Sequence, residues 1–305
     1  MKKKHKIKKK LTRVRSGKTK RMIALADTHI GSQYGYFPQH MRSTRMIPKA
    51  IYNTSVVASE WLDYQIAKFR PRGGYDVCLC NGDLIDGKGE ITGGREIIES
   101  AIIEQCNLGT NFLKTIKAKD YILTAGSGYH VGNKEDYEAI CAKDMGCEKL
   151  YSQIAFQINS KWFEARHFTT GGTSPTTNKA QSIKKDQIYT ALDKHSLDIG
   201  CSNDLFKKLG EYTEKVEDES IKTNAPLPTV YIRAHVHKHD YMSGSSGDIL
   251  LMTLPGLQLK SIYGDRKCVG IVDYGFVVFD VTEKGVMSWF PVKQRIPLYS
   301  ETLSF

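Results

Sequence analysis

The chain has 305 residues, 40% of them hydrophobic and 25% charged, with a formal net charge of +11. That composition suits a soluble protein with a sizeable core and excludes a chain too polar to fold. No apolar run approaches the roughly 18 residues of a membrane span, and the N-terminus lacks the apolar segment of a secretory signal, so neither membrane insertion nor secretion is expected.

The charge is not spread evenly. Residues 1–21 hold twelve Lys or Arg and no acid, leaving 32 basic against 33 acidic residues elsewhere. Such a run repels itself and reads as a disordered basic tail, followed by a single domain over residues 22–305. Its natural partner is a polyanion, DNA or RNA, bound through counterion release; the bland alternative is a solubilising or targeting tail. There are seven cysteines and no C-x-x-C. They read as reduced and mostly buried, Cys78 and Cys80 as core, in a cytoplasmic or other reducing intracellular compartment.

In chain order, the apolar run 22–26 reads as a buried strand ending on Asp27, with His29 two residues on. A loop over 31–47 follows. Pro48 opens a helix to about residue 70, with Ile51, Val57, Trp61, Leu62, Ile66 and Phe69 as its apolar face. Residues 75–80 form a second strand, running into Gly82 and Asp83. A helix is expected over 95–117, a strand over 120–125 that ends in the glycine-rich turn 126–132, and a helix over 134–145. Strand, polar loop and helix in repetition imply a parallel sheet. Beyond residue 150 the pattern changes. A hairpin over 154–158 and 161–167 closes at Asn159-Ser160. Helices are expected over 179–194 and 205–216, then strands over 229–234, 249–254, 270–273, 275–281 and 286–291. The loops at 31–47, 87–94 and 169–177 are placed to shape a pocket.

The candidates for chemistry are Asp27, His29, Asp83, His130, His167, His235 and His237, all at strand ends. Ligands gather there in open α/β sheets, and mixed carboxylate and imidazole donors suit a divalent transition metal. His235-Val236-His237 alternates, so an extended chain would aim both rings to one side. Singly, each has a mundane reading as a satisfied strand-end group or a helix cap. Their joint placement favours a site.

Asp27-Thr28-His29, Gly82-Asp83 with Asp86, a glycine turn ending in His130, His167, and Ala234-His235-Val236-His237 resemble the calcineurin-like metallophosphoesterases over about residues 22–290. The resemblance implies an α/β fold of two facing mixed β-sheets flanked by helices, a four-layer α/β/β/α sandwich with a dinuclear site across its edge. It implies Asp27, His29 and His237 on one metal, His167 and His235 on the other, and Asp83 bridging. His130 would be the catalytic histidine and Asp86 would orient ligands. The cofactors would be two divalent ions, manganese first, with iron, zinc, cobalt or magnesium as alternatives. They would clamp the phosphate and supply a bridging hydroxide. Two departures stand out. Ala234 replaces a glycine, and Tyr129 stands where the family has a ligating Asn. Ser127, Asn133, a backbone carbonyl or water would then fill that place.

The expected function is a metal-dependent phosphodiesterase acting on nucleic acid, a DNA-binding nuclease of this kind, with the tail supplying attraction. The alternatives are a phosphatase or cyclic-nucleotide phosphodiesterase, and a non-catalytic nucleic-acid-binding protein. No membrane partner is expected.

Overall fold

The computed structural model describes residues 19–39, 41, 47–89, 92–131, 136–168, 228–243, 249–262, 264 and 271–296, except for the side chains of residues 129 and 131. Residues 1–18, the loop 169–177 and the helices expected over 179–194 and 205–216 lie outside the described residues.

Strands β1 (Lys20–Leu25), β2 (Tyr75–Asn81) and β3 (Ala118–Thr124) are parallel. Helix α1 (Lys49–Phe69) joins the first pair and α2 (Ile102–Ile116) the second. The short α3 (Gly128–Val131) and α4 (Tyr137–Asp144) follow, then the hairpin β4 (Gln153–Ile158) and β5 (Lys161–Arg166). Next come β6 (Val230–Arg233), β7 (Asp240–Ser243), β8 (Leu250–Thr253), β9 (Val272–Val281) and β10 (Met287–Ile296). They make two five-stranded sheets, β10-β9-β1-β2-β3 and β4-β5-β6-β8-β7. Both are mixed, because β9 runs antiparallel to β1 and β7 antiparallel to β8, whereas β5, β6 and β8 are parallel.

The sheets face each other, and β1 shows why. Met22, Ala24 and Ala26 pack with Phe163, Val230 and Ile232 of the second sheet. Ile23 and Leu25 pack with Leu62 and Ile66 of α1 and Leu113 of α2. Alternate side chains thus serve two buried layers, which is why the strand is apolar without a break. The aromatic seam of Phe156 stacked on Phe163, with Phe163 edge-on to Phe279, joins the sheets. No described helix is long and apolar enough to cross a membrane.

Several elements depart from the expectation. β1 begins at Lys20, so the last two basic residues belong to the sheet, not to a tail. Arg21 donates twice to the Asp280 carboxylate, both at 2.6 Å, and once to Phe69 O. α2 starts at Ile102 rather than near 95. The preceding backbone is engaged elsewhere, Ile98 N–H donating to Gly31 O and Glu96 O accepting from Gln33 N–H, so it cannot form helical bonds. The two strands expected around residue 274 are one continuous β9. Gly275 permits that, since a Cβ there would lie 2.1 Å from Val292 O of β10. β7 was not expected, and β10 runs on to Ile296, with Pro291 tolerated because the strand is at the sheet edge. All five described cysteines are free thiols, and only Cys147 is not fully buried.

The buried face of α1 is Ser55, Ala58, Ser59, Leu62 and Ile66, whereas Val57 is 65% exposed. Leu62→Ala should therefore cost about 2–5 kcal/mol, and Val57→Ala should stay within about 0.5 kcal/mol. Urea denaturation of the two variants checks the orientation, and equal losses would contradict it.

Candidate metal centre

Asp27 follows β1, Asp83 follows β2, Ser127 follows β3, His167 follows β5 and His235 follows β6 by one residue. These strand ends share one edge of the molecule. The loop after β1 is tied to the loop after β2 by a ladder that outlasts the strands: Asp27 N–H to Gly82 O, His29 N–H to Asp83 O and Ile30 N–H to Leu84 O, at 3.0–3.1 Å.

Asp27, His29, Asp83, His235 and His237 all have left-handed backbone, with φ between 45° and 72°. Left-handed geometry costs a non-glycine residue about 1–2 kcal/mol. The other described non-glycine residues with positive φ are Lys117, at the α2 C-terminus, and Asn159, in the hairpin turn. Strain of this kind collects at functional sites, where surrounding bonds over-determine it. It also corrects one expectation. His235 and His237 do not alternate along an extended strand; turns at both residues send His235 toward His167 and His237 toward His29.

The side chains converge. His167 Nε2 lies 3.1 Å from Asp83 Oδ2 and 3.8 Å from Asp27 Oδ1. His237 Nε2 lies 3.3 Å from Asp27 Oδ1, and His29 Nε2 lies 3.8 Å from Asp83 Oδ2. One donor from each of Asp27, Asp83, His167 and His235 falls within 4.8 Å of the others, as do donors from Asp27, His29 and His237. Geometry thus makes Asp27 common to both groups, while Asp83 Oδ2 faces both through His167 and His29.

The rings are oriented from behind. His167 Nδ1–H donates to Asn81 O at 2.8 Å, and His29 Nδ1–H to Asp86 Oδ1 at 2.9 Å. A carbonyl or carboxylate only accepts, so each bond places the proton on Nδ1 and leaves the Nε2 lone pair for a cation. Asp86 also holds His130, whose Nδ1 sits 3.1 Å from Asp86 Oδ1. His29, Asp83, Asp86, His130, His235 and His237 line one cavity of about 200 Å³; Asp27 and His167 lie beneath it, at 0% and 1% exposure.

Two observations fit this set to a metal. Asp27 Oδ1 and His29 Nε2 are buried with no hydrogen-bond partner, and such orphaned atoms are costly unless something binds them. The donors are carboxylate oxygens and imidazole nitrogens, the mixture that divalent transition ions take. The electrostatics point the same way. Burial pushes the Asp83 carboxyl up, but His167 outweighs it and holds the group well below its usual range. Burial lowers His167, yet Asp83 draws it up to about 10. His235, buried and beside His167, falls to about 4. The two carboxylates demand positive charge between them.

Of the residues weighed for the place of the missing Asn, Ser127 is at the centre: its N–H donates to Asp83 Oδ1 at 2.6 Å and its Oγ lies 3.2 Å from both Asp83 oxygens. Gly126 allows this approach, because a Cβ there would lie 2.1 Å from Asp83 Oδ1. Asn133 and the Tyr129 side chain lie outside the described residues.

Sequence reasoning missed Glu138, in the first turn of α4. Its two oxygens accept from Leu84 N–H and Gly126 N–H, at 2.5 and 2.8 Å, clipping the Asp83 loop to the Ser127 loop. Burial, then Asp83, pushes this carboxyl up to about 8. An acidic residue in a helix's first turn is too common a pattern to have marked it. Glu138→Ala would strand two buried donors at about 1–3 kcal/mol each. Urea denaturation should show a loss of roughly 2–6 kcal/mol; no loss would mean that the clip is dispensable.

No family model matches the chain, and no curated protein matches it. Solved structures do. Vacuolar protein sorting 29 from Cryptosporidium parvum is 9% identical, covering 91% of this chain and 99% of that one, with a TM-score of 0.40. Vps29 from Entamoeba histolytica, complexed with zinc, is 12% identical over 90% and 98%, with a TM-score of 0.33. A structure described as a novel archaeal phosphodiesterase is 10% identical over 89% and 99%, with a TM-score of 0.39. At such identities the likeness is one of chain path, not of chemistry.

Proposed function

We propose that this chain, whose two facing mixed sheets are the architecture of the calcineurin-like metallophosphoesterases, is a metal-dependent phosphodiesterase that cleaves nucleic acid. The observation that carries the reading is the orphaned pair, Asp27 Oδ1 and His29 Nε2, set among four further donors, Asp83, His167, His235 and His237.

On this reading Asp27, His29 and His237 hold one ion, and His167 and His235 the other, with Asp83 between them. Ser127 takes the place of the family's Asn by fixing Asp83. Bound divalent ions, manganese foremost, would polarise the phosphate and make a water nucleophilic at neutral pH. The protein does the rest. Asp86 and the Asn81 carbonyl aim His29 and His167. His130 lines the cavity with Nδ1 turned to Asp86. That carboxylate favours the doubly protonated ring, from which Nε2–H is donated to the leaving oxygen.

Nucleic acid is the proposed substrate because the surplus of positive charge lies in residues 1–21, ahead of a near-neutral body. A long polyanion gains from that segment and a small phosphate ester does not.

Asp83→Asn should unfold cooperatively like the parent protein, but bind less metal and hydrolyse bis(p-nitrophenyl) phosphate at least about 100-fold more slowly. Metal analysis beside the assay checks this, and full turnover in the variant would rule the centre out.

Deleting residues 1–18 spares β1. It should leave hydrolysis of the small diester unchanged, while lowering affinity for duplex DNA and flattening its log–log salt slope by about 0.9 per phosphate released. Equal slopes for both proteins would remove the case for nucleic acid over a small ester.

A further inference from the structure

The cavity has a second wall, made by Thr92 and Glu96 ahead of α2 and by Gln258, Lys260 and Ser261 after β8. Thr92 belongs to the loop 87–94 expected to shape a pocket, whereas the residues after β8 were not foreseen from the sequence. Leu257 N–H donates to the Ala26 and Asp27 carbonyls, and Leu259 N–H to Tyr34 O. Leu257 joins the apolar core, while Gln258 and Leu259 line the cavity. Gln258 is 7% exposed and Glu96 6%. The Gln258 carboxamide has no hydrogen bond among the described residues. It offers a donor and an acceptor to the space beside the metal centre. Glu96 is fixed as well, its carbonyl accepting from Gln33 N–H and its neighbour Ile97 bridging to Ser32.

The wall's chemistry selects its ligand. A carboxylate accepts, and the Lys260 ammonium in the same wall donates. A carboxamide and hydroxyls both donate and accept. Together they suit a group that carries both N–H or O–H donors and acceptors. The volume, about 200 Å³, is below the roughly 300–1,000 Å³ of drug-sized ligand sites. A space of that size excludes a duplex.

We propose that this wall is the subsite for the nucleoside attached to the scissile phosphate, with Gln258 and Glu96 reading its hydrogen-bond donors. The proposal rests on the phosphodiesterase reading for its place in the reaction. The recognised donors are those of a base edge or of the sugar hydroxyls.

Two measurements on the full chain decide it. One is calorimetric binding of guanosine, 2′-deoxyguanosine and adenosine 5′-monophosphates. The other is hydrolysis, with manganese, of guanosine 5′-(p-nitrophenyl phosphate) relative to bis(p-nitrophenyl) phosphate. The expected result is tighter binding of a guanine than of an adenine nucleotide, and a preference for the nucleoside ester that falls roughly tenfold in Gln258→Leu and in the isosteric Glu96→Gln. Equal losses for guanosine and 2′-deoxyguanosine assign the base edge; a loss confined to the ribonucleotide assigns the sugar. Hydrolysis of the aryl diester with no preference, and binding indifferent to both substitutions, overturns the subsite and leaves the phosphodiesterase standing. Binding that depends on Gln258 in a protein that hydrolyses neither ester overturns the phosphodiesterase and leaves the subsite standing. Neither binding nor hydrolysis overturns both.

Discussion

Two carboxylates, Asp27 and Asp83, sit at 0% and 1% exposure at the ends of adjacent strands. Burying one ionised carboxylate is expensive, and burying two that face the same imidazole is more so. The architecture around them answers that cost. Parallel pairing of β1 with β2 puts both groups at one end. The second sheet then delivers three imidazoles, His167 from β5 and His235 and His237 from the turn after β6, to the same place. A single sheet would supply the acids without the bases. The apolar layer between the sheets therefore positions the site as well as stabilising the fold, since sliding one sheet on the other would separate carboxylate from imidazole.

The backbone pays at five of these residues through left-handed geometry, and what holds it there is local. The ladder from Asp27 to Ile30 ties the first loop to the second, and Glu138 ties the second to the third. Thr28 adds its hydroxyl to Leu84 O at 2.6 Å. Side chains held by such a frame are aimed before any ion or substrate arrives, which is the condition for a preorganised centre.

The sequence made the site legible because each ligand candidate directly follows an apolar strand or closes one. Chain order then carried the resemblance. The support for the site was not legible, and the reasons are physical. The inward face of α1 looked apolar but holds Ser55 and Ser59, because that face anchors the first loop: Ser55 Oγ donates to Gln33 O, and Phe37 N–H donates to Ser59 Oγ. The onset of α2 shifted because its expected first turn bonds to the same loop. Glu138 and Gln258 are polar residues whose importance comes from burial, and burial of a polar side chain leaves no periodic trace. β7, of four residues, lies at the edge of its sheet with alternate residues exposed, too short and too polar to register.

β1 lies inside its sheet, between β9 and β2, and its first residue, Lys20, is at the end away from Asp27. Six residues at about 3.3 Å each separate the two ends by roughly 20 Å. The chain therefore enters β1 on the side opposite Asp27. On the proposed reading, what a polyanion gains from the basic residues comes through encounter and not through chemistry at the ligands.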